Sequence, residues 1–597
     1  VNALRVVGAR SVAPECFFAW ILVWCFAFVP GSAAWAFASS SGPHYLYQSP
    51  ATHAFFAANG ANYDALTDRW RTYLRRSTTE FREVSRPQLL AGLAPGVLVL
   101  GSAILLDDQE RAAITRYAEA GGSVLLTWGT GARDGTGRWV GYGFLETMLD
   151  MRVTGKVALG SNERFLQPFG DGPLTWPVPV GERIFLGEVA ETPVRVQSAN
   201  LAARYVDWQR FPQPPETNGA IAFLEKGASR RVYLGFAESS WDYDERKRLS
   251  SLLDGAMAWL QRQPTVSQAS WPNGHIWAHT FVMDVEDGFA NAEHFASHLE
   301  QFGLRGSFFA VTGAALGYRS VLERLVPRHE IGYLGDAGYG FKGKPKNIQK
   351  GRLEAMVADM KNVLGSRLTL SVTGFRAPAE SWDATTEQLL RPLGIRHHVA
   401  GPGACETRVP CFSQSEPNLG PEQALVVLPR TQGDDLTYLG LKLDTETLRT
   451  TLQRDAEYQA EAGALGVLAV HSQHYSPQGS MATQVPAYLQ RIRQQKTKVW
   501  AATSADIAQW WRMRERVSFL PGPLLQNRFT FTVRAPGQVR GLTFVITHPA
   551  RDRTPRRVLP NAATMPQPEL VRIDAWRSAI VFRQELGTGH YGYSVEF

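Results

Sequence analysis

The apolar residues of this chain follow three patterns in succession. In the first part short buried runs alternate with amphipathic stretches. Gly96-Val-Leu-Val-Leu-Gly101 reads as a strand, Asp107 to Gly121 as a helix ending on paired glycines, and Ser123-Val-Leu-Leu-Thr127 as another strand. Arg231-Val-Tyr-Leu-Gly-Phe236 adds a strand and Asp244 to Leu260 a closing helix, with a more β-rich insertion around Met151 to Ala222. Residues 39–263 are therefore expected to form an open α/β layered domain, and Pro264 to Asn273, mostly polar with two prolines, a linker.

The second pattern is a regular βα alternation. Ile276 to Val282 reads as a strand buried on both faces, Ala290 to Phe302 as a helix, and Gly306 to Val311 and Glu330 to Leu334 as the next strands. A helix from Ile348 shows a stripe of Leu353, Met356, Val357, Met360, Val363 and Leu364 at 3.6-residue spacing. Strands are expected at Leu370 to Phe375, Ile395 to Val399, Ala424 to Leu428, Gly466 to Val470 and Lys498 to Ala502, so residues 274–516 predict an incomplete α/β barrel. After Trp511 the pattern becomes β-rich. Arg528 to Val533, Gly541 to Ile546, Leu570 to Ile573, Ser578 to Phe582 and Tyr591 to Phe597 are separated by Pro, Gly and Asn turns, which predicts a small β-sandwich over 517–597, suited to carbohydrate binding or docking.

Candidate chemistry sits where the first central strand stops. Phe281-Val-Met-Asp-Val-Glu-Asp-Gly-Phe289 places Asp284, Glu286 and Asp287 at the C-terminal mouth of a strand, where α/β folds collect their active sites. Acids so close together call for a cation or hydrogen-bond donors, which suits a metal or general-base role; a solvated acidic turn capping the next helix is the alternative.

The N-terminus carries Arg5 and Arg10, then an apolar block from Cys16 to Pro30 that is short for a membrane span, then two A-x-A patterns at Ala34-Trp35-Ala36 and Ala36-Phe37-Ala38. Residues 1–38 are read as a secretory signal peptide, with an uncleaved anchor as the alternative, and the protein is placed in the periplasm or outside the cell. Of the 4 cysteines, Cys405 and Cys411 lie beyond that segment and are expected to pair in an oxidising compartment. A net charge of +7 is spread along the chain without the basic blocks that nucleic-acid binding needs.

The order of motifs in the central segment resembles the NodB-homology polysaccharide deacetylases of carbohydrate esterase family 4. That resemblance rests on Glu286-Asp287-Gly288, Gly374-Phe-Arg-Ala-Pro378 and Leu468-Ala-Val-His471, and it covers about Gly274 to Arg516. It implies a distorted (β/α)7 barrel in which Glu286 activates water, Asp287 binds a zinc-like divalent metal, Arg376 orients Glu286 and His471 protonates the leaving amine. Pro378 would shape the groove, with Trp382, Asp435, His474 and Tyr475 as further sugar-binding candidates; core packing is the alternative for each.

One motif departs from the family. Leu334 and Gly338 stand where two metal-binding histidines belong, and neither side chain can ligate. Asp336, in the same loop, is the candidate to join Asp287 around a hard ion. The first domain resembles flavodoxin-like, glutamine-amidotransferase-like domains, but its turn Thr127-Trp-Gly-Thr-Gly131 has no nucleophilic cysteine, so a binding or structural role is expected. Two functions follow from the resemblance. One is a deacetylase acting on an N-acetylated exopolysaccharide, with the export machinery of that polymer as a further partner. The other is a pseudo-enzyme that binds glycan or a partner through the old groove. An O-acetyl esterase would need the same metal.

Overall fold

The computed structural model describes residues 42–77, 81–158, 160–168, 173–174, 183–187, 190–206, 217–243, 248–365, 372–405 and 407–597. The expected signal segment lies outside these residues, as do the starts of the expected Asp244 and Leu370 elements. No helix among the described residues is long and apolar enough to cross a membrane.

The first sheet is built on parallel strands in the order Phe81–Val84, His44–Tyr47, Val97–Leu100, Ser123–Thr127 and Ser229–Leu234. Val97–Leu100 is apolar throughout and Ser123–Thr127 has a Val-Leu-Leu centre, and both are buried on both faces, as parallel strands covered by helices must be. The helix between them, Asp108–Glu119, starts where Asp107 and Glu110 form a reciprocal capping box, each side chain accepting from the other's backbone N–H. Beyond Ser229–Leu234 the sheet turns antiparallel, through Gly219–Lys226 and Leu201–Val206. The β-rich insertion thus extends the sheet edge.

The central sheet carries seven parallel strands in the order Val426–Pro429, His397–Ala400, Gly374–Arg376, Glu330–Gly335, Ser307–Val311, Trp277–Val285 and Leu465–His471. Val499–Ala501 adds to the beginning of Trp277–Val285, and Cys411–Phe412 pairs antiparallel at the other edge. An isolated parallel bridge between Asp434 and Ala469 brings the segment after Val426–Pro429 against Leu465–His471, so the two ends of the sheet come together. Every residue of Trp277–Val285 is buried. The helix Lys346–Leu364 buries Leu353, Met356, Met360, Val363 and Leu364 of the expected stripe, leaves Val357 half-buried, and stops at Gly365, whose φ of 58° suits glycine. Cys405 and Cys411 are joined by a disulfide.

The C-terminal region contains two four-stranded sheets. One is Ser518–Leu525, Arg528–Ala535, Gly589–Glu596 and Arg557–Pro560; the other is Val266–Gln268, Thr543–Thr547, Arg577–Val581 and Glu569–Arg572. The stretch expected as a linker therefore supplies an edge strand, with Val266 opposite Ile546. Val266 and Trp271 are buried among Phe544, Ile546 and Trp511, and the polar residues beside them, Thr265, Ser267 and Ser270, are buried as well, so the polar look of the segment does not mean exposure. Arg230 ties the first sheet to this region. Its guanidinium is buried against Trp259 and Trp576 (4.8 and 5.5 Å to the ring centroids), pairs with Glu225 at 2.9 Å, and donates to the carbonyls of Trp259 (2.7 Å) and Pro549 (2.6 Å). Replacing Arg230 with Ala leaves Glu225 to Arg262 alone, at 3.2 Å, and takes the donor from the Pro549 carbonyl, and is expected to cost about 1–3 kcal/mol. Thermal unfolding should show the loss, with proteolysis reporting earlier release of the C-terminal sheets.

Candidate active site

The mouth of the central sheet holds a chain of alternating charges. Trp277–Val285 runs further than its apolar stretch suggests, so Asp284 is inside the strand, with its Cα in register with His471 on one side and Phe309 on the other. Arg376 is the last residue of its own strand, and its Nε donates to both oxygens of Asp284 at 2.8 and 2.9 Å. Nη2 of Arg376 reaches Glu380 at 3.3 Å, Glu380 also pairs with Arg430, and Arg430 pairs with Asp434 at 3.1 Å. Burial works against the charge of Arg376, but Asp284 and Glu380 outweigh it and push its pKa up. Nη1 of Arg376 is buried and has no hydrogen-bond partner among the described residues. A buried donor left in that state costs about 1–3 kcal/mol, a cost that water or a ligand acceptor would remove.

His471 closes the other side. Its Nδ1–H donates to Oδ1 of Asp435 at 2.7 Å, its backbone N–H donates to Oδ2 of Asp435 at 2.8 Å, and its Nε2 lies 3.5 Å from Asp284. Burial alone would lower the imidazole pKa; the hydrogen bond to Asp435 and the charges of Asp284 and Asp435 prevail over it and over Arg376, and push it up to about 9. His471 is thus an imidazolium at neutral pH, placed beside a carboxylate. His474 also donates from Nδ1 to Asp435, at 3.0 Å, and is partly open to solvent.

Several expected site residues sit elsewhere. Arg376 orients Asp284 and not Glu286, because Asp284 is in the strand and faces the neighbouring strand ends, whereas Glu286 is in the turn beyond, accepting from Nε2 of Gln473 at 3.1 Å. Asp287 is exposed, and its backbone carbonyl accepts from Ser472. Asp336 is not available to an ion: Arg352 holds its carboxylate through Nη2 at 2.7 Å and Nε at 3.0 and 3.2 Å. Leu334 is in the core with Phe309 and Val399, and a side chain at Gly338 would meet open space. Tyr475 is a core residue, packed on Phe295 with its hydroxyl 2.9 Å from His298, and half-buried Trp382 packs edge-on against His398. Pro378 is buried beside Gly335, while Asp435 and His474 join the central cluster.

Asp284, Glu380, Arg430 and Asp434 complete the network. The first was visible in the sequence as one of three acids at a strand end. Arg430 and Asp434 lie in Pro429-Arg-Thr-Gln-Gly-Asp-Asp435, the stretch that follows a strand and ends on the sugar-binding candidate Asp435; Glu380 had no signal beyond its distance from Arg376. Two further histidines lie near strand beginnings: His279 faces the hydroxyl of Tyr488 at 2.5 Å and His397 pairs with Glu330 at 2.7 Å.

Among the described residues, Asp435, His471 and His474 have potential ligand atoms within 4.8 Å of one another. The set does not fit an ion as it stands. Both imidazoles spend a ring N–H on Asp435, and the other face of His471 is turned to a second carboxylate that stabilises its proton.

No protein-family model and no curated protein matches the chain. Solved structures it is similar to include carbohydrate deacetylases, family 4 carbohydrate esterases and an allantoinase. Agd3, described as a novel carbohydrate deacetylase, shares 10% identity at a TM-score of 0.41, over 93% of this chain and 99% of its own. A family 4 carbohydrate esterase from Streptomyces lividans in complex with acetate shares 13% identity at 0.27, over 39% and 93%. BA3943 from Bacillus anthracis, described as a family 4 pseudoenzyme, shares 10% identity at 0.28, over 40% and 66%. All three scores are below 0.5, and the chain's own side chains decide its chemistry.

A raised histidine pKa is also a stability statement. The contribution of the His471 clasp is complete below pH 6.5, the ordinary histidine value, and is lost as pH rises through about 9. Unfolding midpoints should therefore fall over that window by an amount equivalent to up to about 3 kcal/mol, and His471→Gln should flatten the profile.

Proposed function

We propose that the chain is an extracytoplasmic polysaccharide-deacetylase-like protein that engages an N-acetylated exopolysaccharide at the mouth of its central sheet, with proton-transfer groups in place and the family's metal ligands gone. The observation that carries this reading is the meeting of two ion-paired couples, Asp284 with Arg376 and His471 with Asp435, at adjacent strand ends. Asp284 is a base whose position is fixed by a guanidinium. His471 is an acid whose proton is held until a better acceptor arrives, such as the nitrogen of a leaving amino sugar. The unpartnered Nη1 of Arg376 is a donor for a substrate carbonyl or acetyl oxygen. The finer reading of the fold, a flavodoxin-like first domain, a (β/α)7 barrel and a C-terminal sandwich, goes with this proposal, as does association with the machinery that exports the polymer.

Leu334, Gly338 and the Arg352-bound Asp336 favour a specific form of it, in which the groove binds glycan and turnover is slow or absent. In a metal deacetylase the ion polarises the amide carbonyl and acidifies the attacking water, and no residue at these positions can hold one. Here Asp284 and His471 would be left to move protons without that help, and amides are poor electrophiles.

Isothermal titration with oligomers of N-acetylated amino sugars should show saturable binding that a chelator leaves unchanged. Elemental analysis after zinc exposure should find far less than stoichiometric metal. Asp284→Asn should abolish any residual acetate release. Stoichiometric zinc together with chelator-sensitive acetate release would overturn the metal-free form, and absence of glycan binding would overturn the reading as a whole.

A further inference from the structure

The first domain has a cavity of its own, of about 290 Å³. It lies past the C-terminal ends of His44–Tyr47, Val97–Leu100 and Ser123–Thr127, where Phe55, Ile104 and Trp128 contribute to the lining. In the strand order of that sheet, His44–Tyr47 is followed in sequence by the strand on one side and then by Val97–Leu100 on the other, so the cavity is at the switch in winding direction, where open α/β sheets bind ligands. Trp128 follows its strand directly and has a φ of 47°, a conformation that a non-glycine residue avoids and that persists where its surroundings enforce it. The surroundings are on hand: its backbone N–H donates to Leu234 at 2.7 Å and its indole N–H to Thr192 at 3.0 Å, which fixes the ring at the cavity.

The rim is aromatic and cationic. Trp139 is 49% exposed, unusual for so large an apolar side chain, and packs edge-on against Tyr142 at 5.1 Å. Arg133 stacks between Phe55 and Trp139, at 4.9 and 5.7 Å from the ring centroids, and is anchored through Nη1 on the Gly137 carbonyl at 2.7 Å. Lys156 reaches the same indole at 5.8 Å. Against these two cations the lining holds one carboxylate, Glu191, which accepts from Ser239 at 2.7 Å.

We infer that this cavity is a second ligand site, which takes a pyranose ring bearing a carboxylate, as in a uronic acid residue of an acidic polysaccharide. A flat indole rimmed by Tyr142 suits the apolar face of a sugar ring, and Arg133 and Lys156 supply the charge for a carboxylate. A phosphate group is disfavoured. The helix that borders the cavity, Pro50–Ala58, presents Phe55, Phe56 and the capping Asn59 of its C-terminal end, so it offers none of the N-terminal N–H groups that cradle a phosphate, and the charge for a carboxylate comes from Arg133 and Lys156. The site is independent of the central sheet, so either assignment stands or falls alone.

The test uses the full chain, with tryptophan fluorescence and calorimetry against the trimer of galacturonic acid and its methyl ester, which keeps the shape and removes the charge. The acid should bind saturably with a change in tryptophan emission. The ester, and the variants Trp139→Ala and Lys156→Glu, should each bind at least about tenfold more weakly, since each loses a stacking or charge contact of that size. Both replaced side chains are exposed, so circular dichroism and melting temperature should not change. His471→Ala, in the central sheet, should bind normally. Equal binding of acid and ester, an unaffected Lys156→Glu variant, no saturable binding of galacturonate or glucuronate trimers, or displacement by a mononucleotide at lower concentration would each overturn the assignment.

Discussion

The buried pair of Asp284 and Arg376 is the constraint on which the mouth of the central sheet depends. Taking both charges out of water costs more than an isolated Coulomb attraction returns, unless geometry and further hydrogen bonds make up the difference. Here Nε of Arg376 is shared by both carboxylate oxygens, and the guanidinium's second edge meets Glu380. Glu380 in turn separates Arg376 from Arg430, two like charges that could not otherwise be buried near the same point. The backbone bends to allow this: Ala379 and Glu380 both have a φ of 52°, the left-handed region that non-glycine side chains avoid. Strain at those two residues is therefore tied to the electrostatics of the strand ends.

The same arrangement separates two kinds of histidine. His279 and His397 lie at the beginnings of their strands and are closed off from solvent; burial pushes the imidazole of His279 down to about 3 and keeps it neutral. His471 is at the end of its strand, between two carboxylates, and carries a proton. Position along the strand, more than residue type, decides whether an imidazole in this sheet can exchange a proton with anything outside.

Much of this was legible in the sequence because apolar runs bounded by glycine and polar residues mark parallel strands, and Trp277–Val285, Ser307–Val311 and Leu465–His471 all lie close to where their runs place them. Arg376, His471 and Asp435 were legible as polar residues at strand ends. What misled was the exact end of one strand. Asp284-Val-Glu-Asp287 offers three acids within four residues, and only the register against His471 shows which of them lies inside the sheet. The pairing of Asp336 with Arg352 was equally out of reach, since the arginine arrives from a helix whose facing residues are set by packing. Trp271 and Val266 were hidden by the polar residues around them.

The placement of Val266–Gln268 also bears on how the chain is put together. That strand pairs with Phe544–Ile546, and Thr265 bonds to Thr547 across a separation of 282 residues. The central sheet is thus enclosed between the first strand of a C-terminal sheet and the rest of that sheet. A ribosome that has finished the central sheet has not yet made the partner of Val266, and Trp271 must wait with part of its indole uncovered until the last segment emerges. Such long-range closure is slow and leaves apolar surface open meanwhile. The regions are separate in sequence pattern, but the burial around Val266 and Trp271 is completed only once the β-rich region that follows the central sheet has been made.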